Sequence, residues 1–297
     1  MASRKCLAVF GGNGFLGSKI CQAAIQRNWK VISLSRSGEP DWQISSKSGR
    51  RPEWADSVTW VSADVFNPAT YKPHLADADA VVHSMGLLLE ADYKDVLRGK
   101  ENPISGLRKA FGTTGSAWPK SKNPLEKVPG EEAAEAGGSE GDAGGRQLTY
   151  EKLNRDSALI AAKQFVESSS APKKTFLYIS AAAGFPVLPQ RYISTKREAE
   201  DLLSQVTDFR SIFFRPGFMY SSERPFTIPM SYLTRVSSTM NSLTGNIFSG
   251  LLGAAGSAPL DVEKVGVAVV EAIGDESVTG PVEVQQIDKL GSRVLVF

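Results

Sequence analysis

The sequence predicts an α/β protein built on a doubly wound parallel sheet, and three observations carry that expectation. A short apolar run, Leu7-Ala8-Val9-Phe10, leads into Gly11-Gly12-Asn13-Gly14-Phe15-Leu16-Gly17, which sets glycines 11, 14 and 17 as GxxGxxG at a strand-to-helix turn. Beyond the turn, Phe15, Leu16, Ile20, Ala23 and Ala24 recur at helical spacing, and a second apolar run spans Lys30 to Ser35. Apolar runs then keep alternating with helical stretches, the pattern of parallel strands joined by crossover helices.

The first turn needs glycine where the backbone takes positive φ and where no side chain can stand between backbone amides and a pyrophosphate. The expected ligand is therefore a dinucleotide. An NAD site usually carries an acidic residue about 20 residues past the glycines, at the end of the second strand. Here that strand ends in Ser35-Arg36-Ser37-Gly38. Arg36 repels nothing on a 2′-phosphate and can bind it bidentately, which favours NADP(H) over NAD(H).

Further strands are expected at Val58 to Ser62 and Ala80 to Ser84, with a helical stretch near Pro68 to Leu75. Asp64 follows the third strand, where such a fold meets the adenine ring. Between about 116 and 147 the chain is rich in Glu, Ala and Gly without an apolar face, and is expected to be a mobile insertion. Order is expected to return with a helix from Tyr150, its apolar positions 153, 159, 160 and 165 facing the sheet. Then come a strand at Thr175 to Ser180, a helix at Tyr192 to Val206 and a strand at Ser211 to Phe214. These elements complete a Rossmann fold. Tyr232, Val236, Met240, Leu243, Ile247 and Leu251 form an amphipathic segment of low charge, which suits either a lid over a substrate cleft or a surface docked on a partner or membrane. A closing helix (Val262 to Ile273) and strand (Val282 to Ile287) are expected last. The organisation expected is an NADP(H)-binding domain over residues 1–225 and a small C-terminal substrate/lid region over 226–297.

Composition narrows the partners. With 297 residues, of which 41% are hydrophobic, the chain can bury a full core, and a net charge of +2 without a basic patch argues against nucleic acid. Cys6 and Cys21 fall at positions expected to be buried, as core residues of a reducing compartment. Two histidines, His74 and His83, leave a metal site almost no ligands of that kind. No stretch approaches the roughly 18 apolar residues of a membrane span, and no secretory signal or clear presequence is expected from the early first strand.

Tyr192-Ile193-Ser194-Thr195-Lys196 places a phenol and an ammonium one helical turn apart. The ammonium is expected to pull the phenol pKa toward neutrality, which suits proton transfer at a carbonyl or alcohol. With the glycine turn, Asp64, Asn154 and Arg215-Pro216-Gly217, this pair resembles the short-chain dehydrogenase/reductase superfamily in its extended or atypical branch, over most of residues 5 to 220. More narrowly, Val9 to Gly17, Ser35 to Gly38, His83-Ser84-Met85-Gly86-Leu87-Leu88 and Arg191 to Glu200 are similar to fungal mitochondrial proteins of the coenzyme Q biosynthetic complex, themselves relatives of a nucleotide-binding accessory subunit of respiratory complex I. That resemblance implies a location on the matrix side of the inner membrane, with peripheral membrane contact and a protein complex or a quinone intermediate as partner.

The candidate cofactor residues are Gly11, Gly14, Phe15, Leu16, Gly17, Ser35, Arg36, Asp64, Val65, Ser84, Gly86, Lys196 and Pro216. The candidate catalytic residues are Tyr192, Lys196, Asn154 and Ser180. One departure matters: Ile179-Ser180-Ala181-Ala182-Ala183-Gly184 puts Ala181 where the superfamily usually carries a substrate-orienting Ser or Thr, and Ser180 substitutes only if the strand end shifts by a residue. Two functions of different class follow, an NADP(H)-dependent oxidoreductase acting on a hydrophobic, quinone-like substrate and a non-catalytic nucleotide-binding assembly subunit. A sugar-nucleotide epimerase is the third use of such a scaffold, but only Arg224 and Arg235 offer themselves to a diphosphate in the lid region.

Overall fold

The computed structural model of the chain describes residues 4–46, 48–86, 149–182, 190–221 and 259–293. The expected insertion at 116–147 and the amphipathic segment at 232–251 lie outside the described residues.

Seven parallel strands form the sheet: β1 (Cys6–Phe10), β2 (Lys30–Ser35), β3 (Val58–Ser62), β4 (Ala80–His83), β5 (Thr175–Ile179), β6 (Arg210–Phe214) and β9 (Gly280–Val282). Their spatial order is β3-β2-β1-β4-β5-β6-β9. The order reverses between β1 and β4, and the crevice at that switch point is where a doubly wound sheet takes its ligand. A short parallel pair, β7 (Met219–Tyr220) and β8 (Leu260–Asp261), stands outside the main sheet.

Both faces of the sheet are covered, which is why β1, β4 and β5 read as continuous apolar runs. On one face α1 (Gly17–Gln26), α5 (Val262–Gly274) and α6 (Val284–Gly291) supply Ile20, Ala24, Val265, Val269, Ile273, Ile287 and Leu290 to a core with Leu7, Val9 and Val82. On the other, α3 (Ser157–Ser168) and α4 (Gln190–Ser204) supply Ala158, Ala162, Phe165, Ala199 and Leu203, against Ala8, Phe10, Phe176 and Phe213. Cys6 and Cys21 are both buried and unpaired, as expected.

Three expectations are corrected. The crossover from β3 to β4 holds two 3₁₀ turns, Pro68–Thr70 and Lys72–Leu75, because each carries a proline, Pro68 or Pro73, in its first two positions and neither continues. The helix after residue 150 opens as a π-helical turn, Glu151–Asp156, before α3. That extra residue rotates the register, so alanines 158, 161 and 162 face the core and Leu159 and Ile160 are only half-buried. The closing segment is a strand only to Val282; from Val284 it is helix, since Glu283 and Gln286 form a capping box and Ile287 and Leu290 share the buried face.

The connection from β2 to β3 carries α2 (Trp42–Ser45). It is held by three indoles, Trp42 lying 5.6 Å from Trp54 and 5.8 Å from Trp60 in edge-to-face contact.

Candidate functional site

The glycine turn joins β1 to α1. Gly11 takes φ +80°, its N–H donating to Leu34 O at 2.9 Å, and Gly14 N–H donates to Gly11 O at 2.9 Å. A Cβ on Gly17 would fall on the Gly11 carbonyl, and one on Gly14 would lie 3.0 Å from the same oxygen. The spacing reading missed Gly12. A Cβ there would overlap Ser33, whose buried hydroxyl has no hydrogen-bond partner among the described residues. The only signal in the sequence was the doubled glycine. Phe15 is half-buried and Leu16, the residue before α1, is buried; the first turn of α1 holds no acidic side chain, so its N-terminal dipole faces no competing anion of its own.

At the end of β2, buried Ser35 accepts the Asn13 N–H at 3.2 Å, and Asn13 Nδ2 donates to Ser37 Oγ at 2.7 Å. Arg36 is exposed, with no carboxylate partner among the described residues. It lines a recess of about 440 Å³ with Asn13 and Ser37. Asp64 Oδ1 accepts from Phe66 N–H at 3.0 Å, closing the turn after β3, and Val65 is buried with its carbonyl held by the Tyr71 hydroxyl.

Across the switch point, Ser84 donates through both N–H (3.0 Å) and hydroxyl (2.8 Å) to Phe10 O, which pins the end of β4 beside the glycine turn. A Cβ on Gly86 would lie 3.1 Å from Lys196 Nζ and 3.3 Å from Asn154 Oδ1. Lys196 and Asn154, 42 positions apart in the sequence, thus converge on one point of the β4 loop. Lys196 is buried and donates to Ile179 O at 2.8 Å. Asn154 is fully buried, its Nδ2 donating to Thr195 Oγ1 at 3.5 Å. Tyr192, half-buried on the first turns of α4, packs edge-on against Tyr150 at 5.8 Å. Buried Pro216 accepts Ala182 N–H at 2.9 Å and so ties the end of β6 to that of β5.

Ser180 is engaged at the end of β5. Its Oγ accepts from Arg197 at 2.9 Å, and Arg197 also reaches Ala181 O at 2.8 Å, while Ser180 N–H donates to Phe214 O. The strand end keeps its register, and the serine belongs to a polar network with Arg197, Glu200 and Arg215.

The electrostatics depart from expectation as well. Burial, helped by the neighbouring Tyr150 phenol, pushes Tyr192 up to about 12 rather than toward neutrality. Burial also lowers Lys196 to about 7, against a smaller opposing pull from Glu200, and its Nζ is turned to backbone carbonyls. His83, fully buried on β4, is pushed down to about 3 by burial and by Lys196, and stays neutral.

Comparison with known proteins follows this geometry. Residues 7–93 match the model of the NAD dependent epimerase/dehydratase family. The chain is 37% identical to MIOREX complex component 2 of Saccharomyces cerevisiae over 238 residues, covering 76% of this chain and 77% of that protein. Among solved structures it resembles a short-chain type dehydrogenase/reductase from Mycobacterium ulcerans (TM-score 0.54, 13% identity, 98% of this chain and 91% of that one). It also resembles a UDP-N-acetylglucosamine 4-epimerase from Methanobrevibacter ruminantium (TM-score 0.52, 15% identity, 95% and 76%). Those two likenesses concern the fold alone. With the glycine turn on the matched segment and a relative of this identity over three quarters of its length, the chain belongs to the NAD dependent epimerase/dehydratase family, the extended branch of the short-chain dehydrogenase/reductase superfamily.

Proposed function

We propose that this chain binds NADP(H) at the switch point between β1 and β4 and reduces a carbonyl of a hydrophobic, quinone-like substrate in support of mitochondrial coenzyme Q synthesis. The observation that carries the reading is the convergence of Lys196 and Asn154 on Gly86, across the crevice from a glycine cradle that admits no Cβ at Gly11, Gly12 or Gly17. In this reading Gly11, Gly14 and the start of α1 with Phe15, Leu16 and Gly17 hold the pyrophosphate. Arg36 holds the 2′-phosphate in the recess it lines with Asn13 and Ser37, with buried Ser35 bonded to Asn13 at the strand end; Asp64 and Val65 border the adenine, and Ser84 and Pro216 flank the nicotinamide end. Bound NADPH supplies the hydride. Lys196 holds the ribose, Tyr192 gives the proton to the carbonyl oxygen, and Asn154 supports the path that returns it. A phenol near 12 carries its proton at neutral pH and gives it up only when the bound substrate and cofactor lower that value. The matrix side of the inner membrane as location rests on the similarity to fungal mitochondrial proteins; among the described residues no helix is long and apolar enough to cross a membrane.

The decisive measurement is a titration of NADPH and NADH against the wild type and Arg36→Ala. NADPH is expected to bind at least tenfold more tightly, the order of one charge-assisted bidentate contact, and Arg36→Ala to bring the two affinities together. Equal affinities in the wild type overturn the NADP(H) preference.

A second reading, a nucleotide-binding subunit that assembles a complex without turnover, is favoured by one observation. Ala181 offers no hydroxyl and Ser180 is held by Arg197, so the usual third hydrogen bond to a substrate oxygen is missing. The loss of such a donor costs catalysis about 10² to 10³. The similarity to a complex component points the same way. Tyr192→Phe separates the two in a cell lacking the native protein: a reductase loses its contribution to quinone synthesis, whereas a subunit complements, and only a variant that blocks the glycine turn, Gly14→Trp, fails.

A further inference from the structure

The inference concerns Tyr178 and rests on the nucleotide-binding reading above. Tyr178 lies on β5 and is fully buried. Its register partner on β4 is His83, with ring centroids 5.6 Å apart, so the two side chains stand together under the site. Above them runs the π-helical turn Glu151–Asp156. A wide turn of this kind loosens the helical pairing of its carbonyls, and two of them are taken from below. The Tyr178 hydroxyl donates to Asn154 O, and the Ser157 hydroxyl donates to Leu153 O at 2.7 Å. Because Ser157 has given its one proton to Leu153, the 2.9 Å contact between Ser157 Oγ and His83 Nε2 requires His83 to be the donor. The imidazole is thus fixed as the neutral Nε2–H tautomer, and its buried Nδ1 has no side-chain or backbone partner among the described residues.

The same Tyr178 ring serves a second group. Lys196 Nζ sits 4.6 Å from its centroid while donating to Ile179 O, the next residue of the strand. Hydroxyl and ring of one side chain therefore touch the two polar residues that meet at Gly86.

We propose that Tyr178 is a positioning residue of the nucleotide site: its ring seats the Lys196 amine, and its hydroxyl holds the Asn154 carbonyl and with it the π-helical turn, so that the spacing of Lys196 and Asn154 about Gly86 is set from beneath by one buried side chain. Removal of the hydroxyl and weakening of the ring face affect different neighbours, and a side chain that merely fills space does not have this property.

The test keeps the volume of residue 178 and changes its chemistry. Tyr178→Phe deletes the hydroxyl, and replacement by mono-, di- and trifluorinated phenylalanines in the same full-length chain then weakens the ring face stepwise. Three quantities are read: NADPH affinity, the NMR titration of the 13C-labelled Lys196 ε-carbon, and amide hydrogen exchange through residues 153–158. Besides Tyr178, the groups facing Lys196 are neutral His83 from β4, Asn154 from the π-helical turn, and Tyr192 and Glu200 one turn to either side on α4; none of them is altered. Tyr178→Phe is expected to quicken exchange at 153–158 and, by releasing Asn154 from its place about Gly86, to weaken NADPH binding severalfold. Fluorination is expected to leave exchange at the Phe level, to move the Lys196 titration to lower pH step by step, and to weaken NADPH binding by about tenfold across the series. Insensitivity of Lys196 to fluorination overturns the proposal, as does unchanged exchange in Tyr178→Phe. If the wild type binds neither NADPH nor NADH, the nucleotide reading has failed, and the Lys196 titration and the exchange data still decide the role of Tyr178.

Discussion

Lys196 is an amine buried for a purpose the fold does not share. Its amine titrates near 7 instead of near 10.5, so between those values the unfolded chain binds a proton that the folded chain does not. Stability contributed at this site therefore rises with pH from about 7 to 10.5, and below 7 the full cost of burying the charge is present. Lys196→Met, which keeps the length of the side chain and removes the charge, is expected to raise the melting temperature by several degrees at pH 6 to 7, with the gain shrinking toward pH 10. The same variant is expected to bind NADPH more weakly. Calorimetry across pH checks it, and a constant or negative difference at pH 6 would show that the bonds to Ile179 and Met85 outweigh the burial cost. At this scale the sequence announces residue types well and their state poorly. YxxxK was legible as a pair, but the direction of the Tyr192 shift is set by burial, with Tyr150 adding to it, and both come from tertiary packing. Gly12 was hidden because its partner, Ser33, lies on another strand.

Between elements, α4 is tied by ion pairs on both its exposed and its buried side. Arg191 binds Glu151 through two bonds of 2.6 and 2.7 Å, and Arg155 reaches Glu198 at 2.9 Å, so the helix is tied on its exposed side to the π-helical turn. On the buried side Glu200 takes both Arg197 and Arg215, and Arg215 continues to Glu283 at the start of α6. The two sets are unequal in weight. Glu198→Gln, at a half-exposed pair, is expected to cost less than about 1 kcal/mol. Glu200→Gln leaves two guanidinium groups short of a counter-charge in a buried corner and is expected to cost about 2 to 3 kcal/mol, under the figure for fully buried pairs because both arginines keep some solvent. Urea unfolding of the two variants side by side checks the ranking, and equal losses would mean that Glu200 is better hydrated than its burial implies. Element identity was largely legible here: the helices and strands from Thr175 to Phe214 fall within a few residues of expectation because their apolar periods are clean. The π-helical turn was not, since one extra residue in a turn leaves no mark in composition. The closing strand failed because Val282-Glu283-Val284 alternates like a strand while the capping box that starts α6 decides for helix.

For the whole molecule, the parallel, doubly wound architecture was readable from the alternation of strands and helices, and the strand order of the sheet brings the glycine turn opposite Gly86. The packing that keeps α1 in place was not readable, because it lies between the two ends of the chain. Gly266 on α5 approaches the first turn of α1 so closely that a Cβ would stand 2.8 Å from the backbone carbon and oxygen of Lys19. Those Lys19 atoms belong to the turn that begins two residues earlier at Gly17, whose N-terminus is assigned to the pyrophosphate. Gly266→Leu drives a side chain between backbones that cannot move apart without displacing α1 from β1 and β2. It is expected to cost about 1 to 3 kcal/mol, or several degrees in melting temperature, and to weaken NADPH binding although residue 266 lies beyond the reach of any nucleotide held by the turn. Thermal unfolding and NADPH titration of the same preparation check the linkage. A lower melting temperature with unchanged affinity would mean that Gly11 and Gly14, bonded to Leu34 and to each other, hold the turn without support from α1.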